Sequence, residues 1–104
     1  MLSNENLKAF VPTTKPKKAK SFYRDILGLK FLYALEFDAN GTLLRVAIVP
    51  KLTPHPFTIL GWNAQDIVLL IKELNNKNVI FERYDFLKQD NLGIWTSPSG
   101  SKVA

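Results

Sequence analysis

The chain has 104 residues, a net charge of +5 and a pI near 9.6, and 46% of its residues are hydrophobic. This balance suits one small folded domain and argues against wholesale disorder. The absence of cysteine excludes disulfides, thiolate metal sites and a cysteine nucleophile. We expect a cytoplasmic protein without a membrane partner, because no apolar run has the length of a membrane span and the first residues lack the pattern of a secretory signal.

The first predicted element is a strand at residues 7–13. Its side chains alternate in character, with Ala9 and Val11 on one face and Lys8 and Phe10 on the other. Such alternation is typical of a strand that buries one face. We therefore expect Lys8, Phe10 and Pro12 to share the face opposite Ala9 and Val11.

An amphipathic helix is predicted next. Pro16 suits its first turn, where a missing N–H removes no hydrogen bond. Gly28 occupies the position at which a left-handed residue commonly ends a helix. Apolar residues between these two positions recur with helical spacing and form one stripe: Ala19, Phe22, Tyr23, Ile26 and Leu27.

Four lysines cluster at the start of this helix, at positions 15, 17, 18 and 20. They have two interpretations, a contact with phosphate groups or a solvated helix end. The solvated end is favoured, because the cluster has no interleaved aromatic residues of the kind that stack on bases. A nucleic-acid partner is therefore not expected.

A β-rich block follows the helix. Residues 29–37 predict one extended segment without a clear turn, and Asn40-Gly41 predicts a hairpin that leads into a strand at residues 42–49. Arg45 interrupts that otherwise apolar strand. Its two interpretations are a clamp on a carboxylate or phosphate of a ligand, and a pair with Glu36 across the hairpin.

Residues 50–56 contain three prolines, which cannot donate to a β-ladder, and predict a linker. A second series of elements follows it. Asn63 is predicted to cap a helix whose apolar stripe is formed by Ile67, Leu70, Ile71 and Leu74. Strands are predicted at residues 57–62, 79–84, 93–97 and 102–104, with a turn at 97–100.

The second series repeats the first. Phe10 and Leu60 are fifty residues apart, as are Phe31 and Phe81. Phe10 and Phe31 flank the first predicted helix, and Leu60 and Phe81 flank the second. Two copies of one supersecondary unit suggest a pseudo-symmetric domain that holds a ligand where the copies meet.

Three segments carry a family resemblance. The first helix region joins a Phe22-Tyr23 pair to a Leu-Gly-Leu string at residues 27–29, and residues 56–63 and 93–100 look like a second half. Together they resemble the glyoxalase / bleomycin-resistance / dioxygenase family, also called vicinal oxygen chelate proteins. The similarity covers most of the chain.

The resemblance implies an α+β fold in which two βαβββ modules form a curved, mixed-sheet cleft. Residues 1–104 are then a single glyoxalase-like domain, with module one at about 7–49, a linker at 50–56 and module two at 57–104. The last strand of module two breaks off at its C-terminal end, so we expect either a longer natural chain or a partner subunit over this edge. A homodimer is expected, because family members commonly complete their clefts between subunits.

Enzymes of the family hold a divalent metal in the cleft. The ligand positions that the resemblance implies fall on Lys8 and on or beside Pro56, and neither residue is a usual metal ligand. No metal cofactor is therefore expected. His55, the only histidine, lies between two prolines and is expected to be an exposed loop residue.

If the alternation and the resemblance both hold, a shared set of side chains points into the cleft: Lys8, Phe10, Thr58, Leu60 and Trp62. Arg45 is added as a polar anchor. Trp62, Trp95 and Tyr33 have two interpretations, stacking on a flat ligand or filling a core or a dimer interface. Glu36, Glu82 and Asp85 are expected to be solvated carboxylates rather than general bases.

The resulting hypothesis is a metal-independent protein that binds a small aromatic or anionic molecule. The alternative is a metal-dependent lyase, isomerase or dioxygenase of the same superfamily with atypical ligands. Whether the chain is an enzyme stays open.

Overall fold

Two α-helices, a four-stranded mixed sheet and a two-stranded sheet make up the chain, so the fold is α+β. The computed structural model describes residues 1–104 and divides them into two units, 1–62 and 63–104. Neither helix has the length and apolar character needed to cross a lipid bilayer.

The first unit contains the four-stranded sheet. Its strand order is β1-β4-β3-β2, with β1 parallel to β4 and the other neighbours antiparallel. After a 3₁₀ turn at Leu2–Asn4, its elements are β1 (Lys8–Thr13), α1 (Pro16–Ser21), a π-helical segment (Phe22–Ile26), β2 (Lys30–Tyr33), β3 (Glu36–Ala39) and β4 (Thr42–Ile48).

The core of this unit lies on one face of the sheet. The alternation predicted for β1 is confirmed, because Val11 is buried while Phe10 is 61% exposed. Helix α1 contributes Ala19 to the same core, and Tyr23 packs against it. The buried residues form what we call the hydrophobic cluster: Val11, Ala19, Phe37, Leu44 and Val46.

The first helical region continues beyond α1 as a π-helix. The Leu27 N–H donates to the Phe22 carbonyl at 2.9 Å, five residues back along the chain. Gly28 then has a φ of +73°, the left-handed conformation that its position predicted.

Two hairpins connect β2, β3 and β4. The Asn40-Gly41 turn is confirmed, and Asp38 accepts a hydrogen bond from the Gly41 N–H at 2.8 Å. The prediction of one extended segment at residues 29–37 is wrong, because the chain turns at Ala34, whose φ is +52°. No residue type at this position predicts a turn, because alanine rarely adopts this conformation.

Residues 49–66 contain no helix or strand. The strand predicted at 57–62 is therefore wrong. Most of this segment is exposed, and Leu60 is the residue within it that packs against the hydrophobic cluster.

The second unit contains α2 (Ile67–Asn76) and a hairpin of β5 (Trp95–Thr96) and β6 (Lys102–Val103). Asp66, rather than the predicted Asn63, caps α2, since its carboxylate accepts from the Leu69 N–H at 3.1 Å. Ile71 is the buried residue of the predicted stripe.

The strand predicted at residues 79–84 is also wrong. The Gln89 side chain satisfies part of its backbone, since it accepts from the Tyr84 N–H and donates to the Glu82 carbonyl. Arg83 links the segment to residues 90 and 91 by donating to the carbonyls of Asp90 and Asn91. The segment is thereby held as an ordered loop. The turn predicted at 97–100 is confirmed by the hydrogen bond from the Gly100 N–H to the Ser97 carbonyl.

Candidate ligand-binding face of the first unit

The strand register brings Lys8, Phe10, Glu36 and Arg45 together on the face opposite the hydrophobic cluster. Arg45 on β4 pairs with Phe10 on β1 and with Glu36 on β3. Lys8, two residues before Phe10, lies on the same side of β1. We call the surface formed by Lys8, Phe10, Glu36 and Arg45 the charged face.

Glu36 joins the two cations of the charged face. Its Oε1 atom accepts from Lys8 Nζ at 3.1 Å and from Arg45 Nη1 at 3.0 Å. The Glu36 side chain is 8% exposed, whereas those of Lys8 and Arg45 are 40% and 44% exposed. A shielded carboxylate therefore fixes two cations that still reach solvent.

These contacts lower the pKa of Glu36 below its ordinary value of 4.5. The hydrogen bond from Lys8 is the largest cause and the hydrogen bond from Arg45 the second, while burial acts in the opposite direction. Glu36 is consequently ionised at neutral pH and is a weak proton acceptor. Its environment suits a charge anchor rather than a general base, and the expectation that Glu36 is solvated is wrong.

The pairing leaves the charged face with one surplus positive charge, from two cations and one carboxylate. Arg45 has five N–H donors and Lys8 three, and one from each is directed to Glu36. Lys8 Nζ also lies 5.5 Å from the centre of the Phe10 ring. The face thus combines an exposed aromatic ring with cationic donors held in fixed positions.

The other predicted ligand-binding residues lie in the segment between β4 and α2. Leu60 is partly buried and packs against the hydrophobic cluster. Thr58 and Trp62 belong to the segment without helix or strand, and both are exposed. The strand register joins Lys8, Phe10 and Arg45, whereas Thr58, Leu60 and Trp62 belong to no strand.

The residues at the expected metal-ligand positions do not fit a divalent cation. Lys8 donates to Glu36, and Arg45 occupies the same carboxylate oxygen, so a metal ion there would meet two positive charges and one carboxylate. Pro56 has no donor atom in its side chain. His55 stacks on Phe57 at 4.9 Å in an exposed loop, as expected, and no group of three or more His, Asp or Glu side chains comes together in either unit.

Glu36 is the member of the charged face that sequence reasoning undervalued. The Asn40-Gly41 turn pairs Ala39 with Thr42 and therefore places Glu36 opposite Arg45. That signal supported the Glu36–Arg45 pair, which is confirmed. The contact with Lys8 required knowing that β1 lies beside β4, a long-range relationship that no local pattern carries.

Comparisons with known proteins give no relative: no protein-family model matches the chain, and no curated protein shows significant similarity to it.

Proposed function

We propose that the chain is a small-molecule-binding protein of the glyoxalase/bleomycin-resistance type, which binds a small aromatic or anionic ligand on the charged face without a metal. The observation that carries the proposal is the position of Arg45 and the number of its donors that stay available. Arg45 lies between an exposed aromatic ring and a shielded carboxylate, and most of its donors are directed to neither.

The topology of the first unit supports the family part of the proposal. One strand, a helical region and three further strands follow in order, and the sheet order is β1-β4-β3-β2. This order supports the proposal that the first unit is a βαβββ module. The second unit adds one helix and a two-stranded sheet, so the proposal of a second equivalent module depends on the sequence repeat alone.

The chemistry of the charged face favours a carboxylate attached to an aromatic ring. A guanidinium group presents donors in a planar fork that matches a carboxylate, and the pair with Glu36 holds this fork in place. Phe10 supplies a ring surface next to it, which suits an aromatic group. Because the local charge is positive, a cationic ligand of the same shape is disfavoured.

Binding of benzoate tests the proposal, with benzylamine as a cationic control of similar shape. Amide chemical shifts followed by NMR should move for residues of β1 and β4 with benzoate, and much less with benzylamine. Replacing Arg45 by Gln should weaken benzoate binding about tenfold, since a hydrogen bond to a charged group contributes about 1.5–3 kcal/mol.

Arg24→Gln is the matched control for Arg45→Gln. Arg24 is exposed and pairs with its neighbour Asp25, so this variant removes the same charge elsewhere and should change benzoate affinity less than twofold. Equal binding of benzylamine, or equal effects of the two variants, would contradict the proposal.

Elemental analysis of untagged protein separates this function from the metal-dependent alternative. We expect no stoichiometric transition metal, because Lys8 and Arg45 place positive charge where the metal would bind. A stoichiometric metal that is retained during purification would favour a metal-dependent enzyme instead.

The proposal includes a homodimer. Strands β1 and β2 form the two edges of the four-stranded sheet, and an edge strand presents backbone groups that pair readily with another chain. Sedimentation analysis should give a mass of twice 11.8 kDa. A monomer at micromolar concentration would contradict this part of the proposal and leave the benzoate test standing.

A further inference from the structure

A second candidate site lies in the first unit, where β1 leads into the helical region. An open groove of about 720 Å³ runs along residues 12–26. This volume lies within the range of cavities that accept small organic ligands. The groove involves neither Lys8 nor Arg45, so it is separate from the charged face.

The groove is largely apolar. Ala19, Phe22 and Ile26 line it along one stripe of the helical region, together with Pro12 and Tyr23. Phe22 and Tyr23 meet edge to face, with ring centres 5.2 Å apart. Burial raises the pKa of Tyr23, so its hydroxyl is neutral at physiological pH and adds no charge to the groove.

Three lysines also line the groove, and all three are exposed: Lys15, Lys17 and Lys18. No aspartate or glutamate is among the lining residues, and the first turn of α1 has no acidic side chain. The fourth lysine of the cluster, Lys20, is held over the Phe31 ring at 4.4 Å and does not line the groove. The residues that line the groove therefore combine an apolar surface with three positive charges and include no carboxylate.

The backbone of the groove is also unusual. Phe22 and Ile26 belong to the π-helical segment, a rare conformation that is found frequently at functional sites. Because Phe22 and Ile26 line the groove, the π-helical backbone borders the same groove as the three lysines.

We infer that this groove binds a small anionic amphiphile, such as a medium-chain fatty acid. Its hydrocarbon chain contacts Phe22 and Ile26, and its carboxylate lies among Lys15, Lys17 and Lys18. Charge complementarity selects this occupant, since a neutral apolar ligand would leave the three lysines unused and a cationic amphiphile would be repelled.

Titration with octanoate below its micelle concentration tests the inference, with octanol and octyltrimethylammonium as ligands of matched chain length. Amide shifts of residues 12–26 should move with octanoate, and the affinity should exceed that of either control by about tenfold or more. Equal binding of octanol would show that charge has no role and would overturn the inference.

Two triple variants with the same net charge provide the control on the protein side. Lys15→Gln/Lys17→Gln/Lys18→Gln should weaken octanoate binding about tenfold or more. Lys51→Gln/Lys72→Gln/Lys88→Gln, which changes three other exposed lysines, should weaken it less than twofold. Equal effects of the two triple variants would show that octanoate binding depends only on the net charge of the protein, which would overturn the inference.

A membrane surface is the competing occupant, because lysines next to apolar side chains also attract anionic lipids. Binding to phosphatidylglycerol vesicles without any binding of monomeric octanoate would overturn the inference in favour of lipid surfaces. Saturable octanoate binding with shifts confined to residues 12–26 would support it.

Discussion

Glu36 and Arg45 face each other across β3 and β4, and Arg45 Nη1 lies 3.0 Å from Glu36 Oε1. Because Lys8 donates to the same oxygen, one carboxylate holds two cationic side chains that come from different strands. The sheet therefore positions the two cations, while the carboxylate keeps them close together.

Coupling between Glu36 and Arg45 is the first prediction. A double-mutant cycle with Glu36→Gln and Arg45→Gln should give a favourable interaction in the free energy of unfolding. The Glu36 side chain is nearly buried, so solvent screens this pair less than an exposed one.

Arg24 and Asp25 provide the comparison, since their side chains are 44% and 56% exposed. A cycle on this pair should give a smaller coupling energy, because exposed ion pairs contribute little. A coupling at Glu36–Arg45 no larger than the one at Arg24–Asp25 would show that Glu36 does not anchor the charged face.

The pH dependence of stability is the second prediction. The pKa of Glu36 is lower in the folded protein than its ordinary value of 4.5, so its contribution to stability is fully present above that pH. The contribution is lost as the pH falls through the lower pKa of the folded state. Urea unfolding at pH 7 and pH 3 should therefore show a greater loss of stability for the native sequence than for Glu36→Gln, and parallel losses would exclude this role for Glu36.

Local patterns predicted the elements that depend on neighbouring residues. The alternation of β1, the Asn40-Gly41 turn and the left-handed Gly28 all appear as expected. Each of these features follows from the preference of a few adjacent residues, which tertiary contacts reinforce rather than override.

The incorrect predictions concern features that depend on residues distant in the sequence. Residues 79–84 have strand-forming side chains, yet Gln89 satisfies backbone groups of this segment that a neighbouring strand would otherwise pair. Leu60 follows a strand-like pattern, but contact with the hydrophobic cluster determines its position. Such outcomes depend on which segments meet in space, which a single sequence does not encode locally.

The turn at Ala34 gives the third prediction. Its φ of +52° costs an alanine roughly 1–2 kcal/mol, while a glycine adopts it freely but loses about 0.4–1 kcal/mol through its more flexible unfolded state. Ala34→Gly should therefore raise the free energy of unfolding by about 0.5–1 kcal/mol, as measured by urea denaturation. Ala47→Gly in β4 is the control and should lower the free energy of unfolding. If both variants, or neither of them, stabilise the protein, the backbone at Ala34 is not strained.

The start of α2 gives the fourth prediction, which compares the capping residue with the one that the sequence favoured. Asp66 accepts from the Leu69 N–H, so Asp66→Ala should destabilise the first turn of α2 by about 1 kcal/mol. Asn63 lies outside the helix, and Asn63→Ala should change stability by less than about 0.5 kcal/mol. Hydrogen exchange of the α2 amides measures both effects locally. We expect faster exchange in Asp66→Ala than in Asn63→Ala, because only Asp66 satisfies a backbone donor of the first turn. The reverse order would show that the helix starts at Asn63, as the sequence predicted.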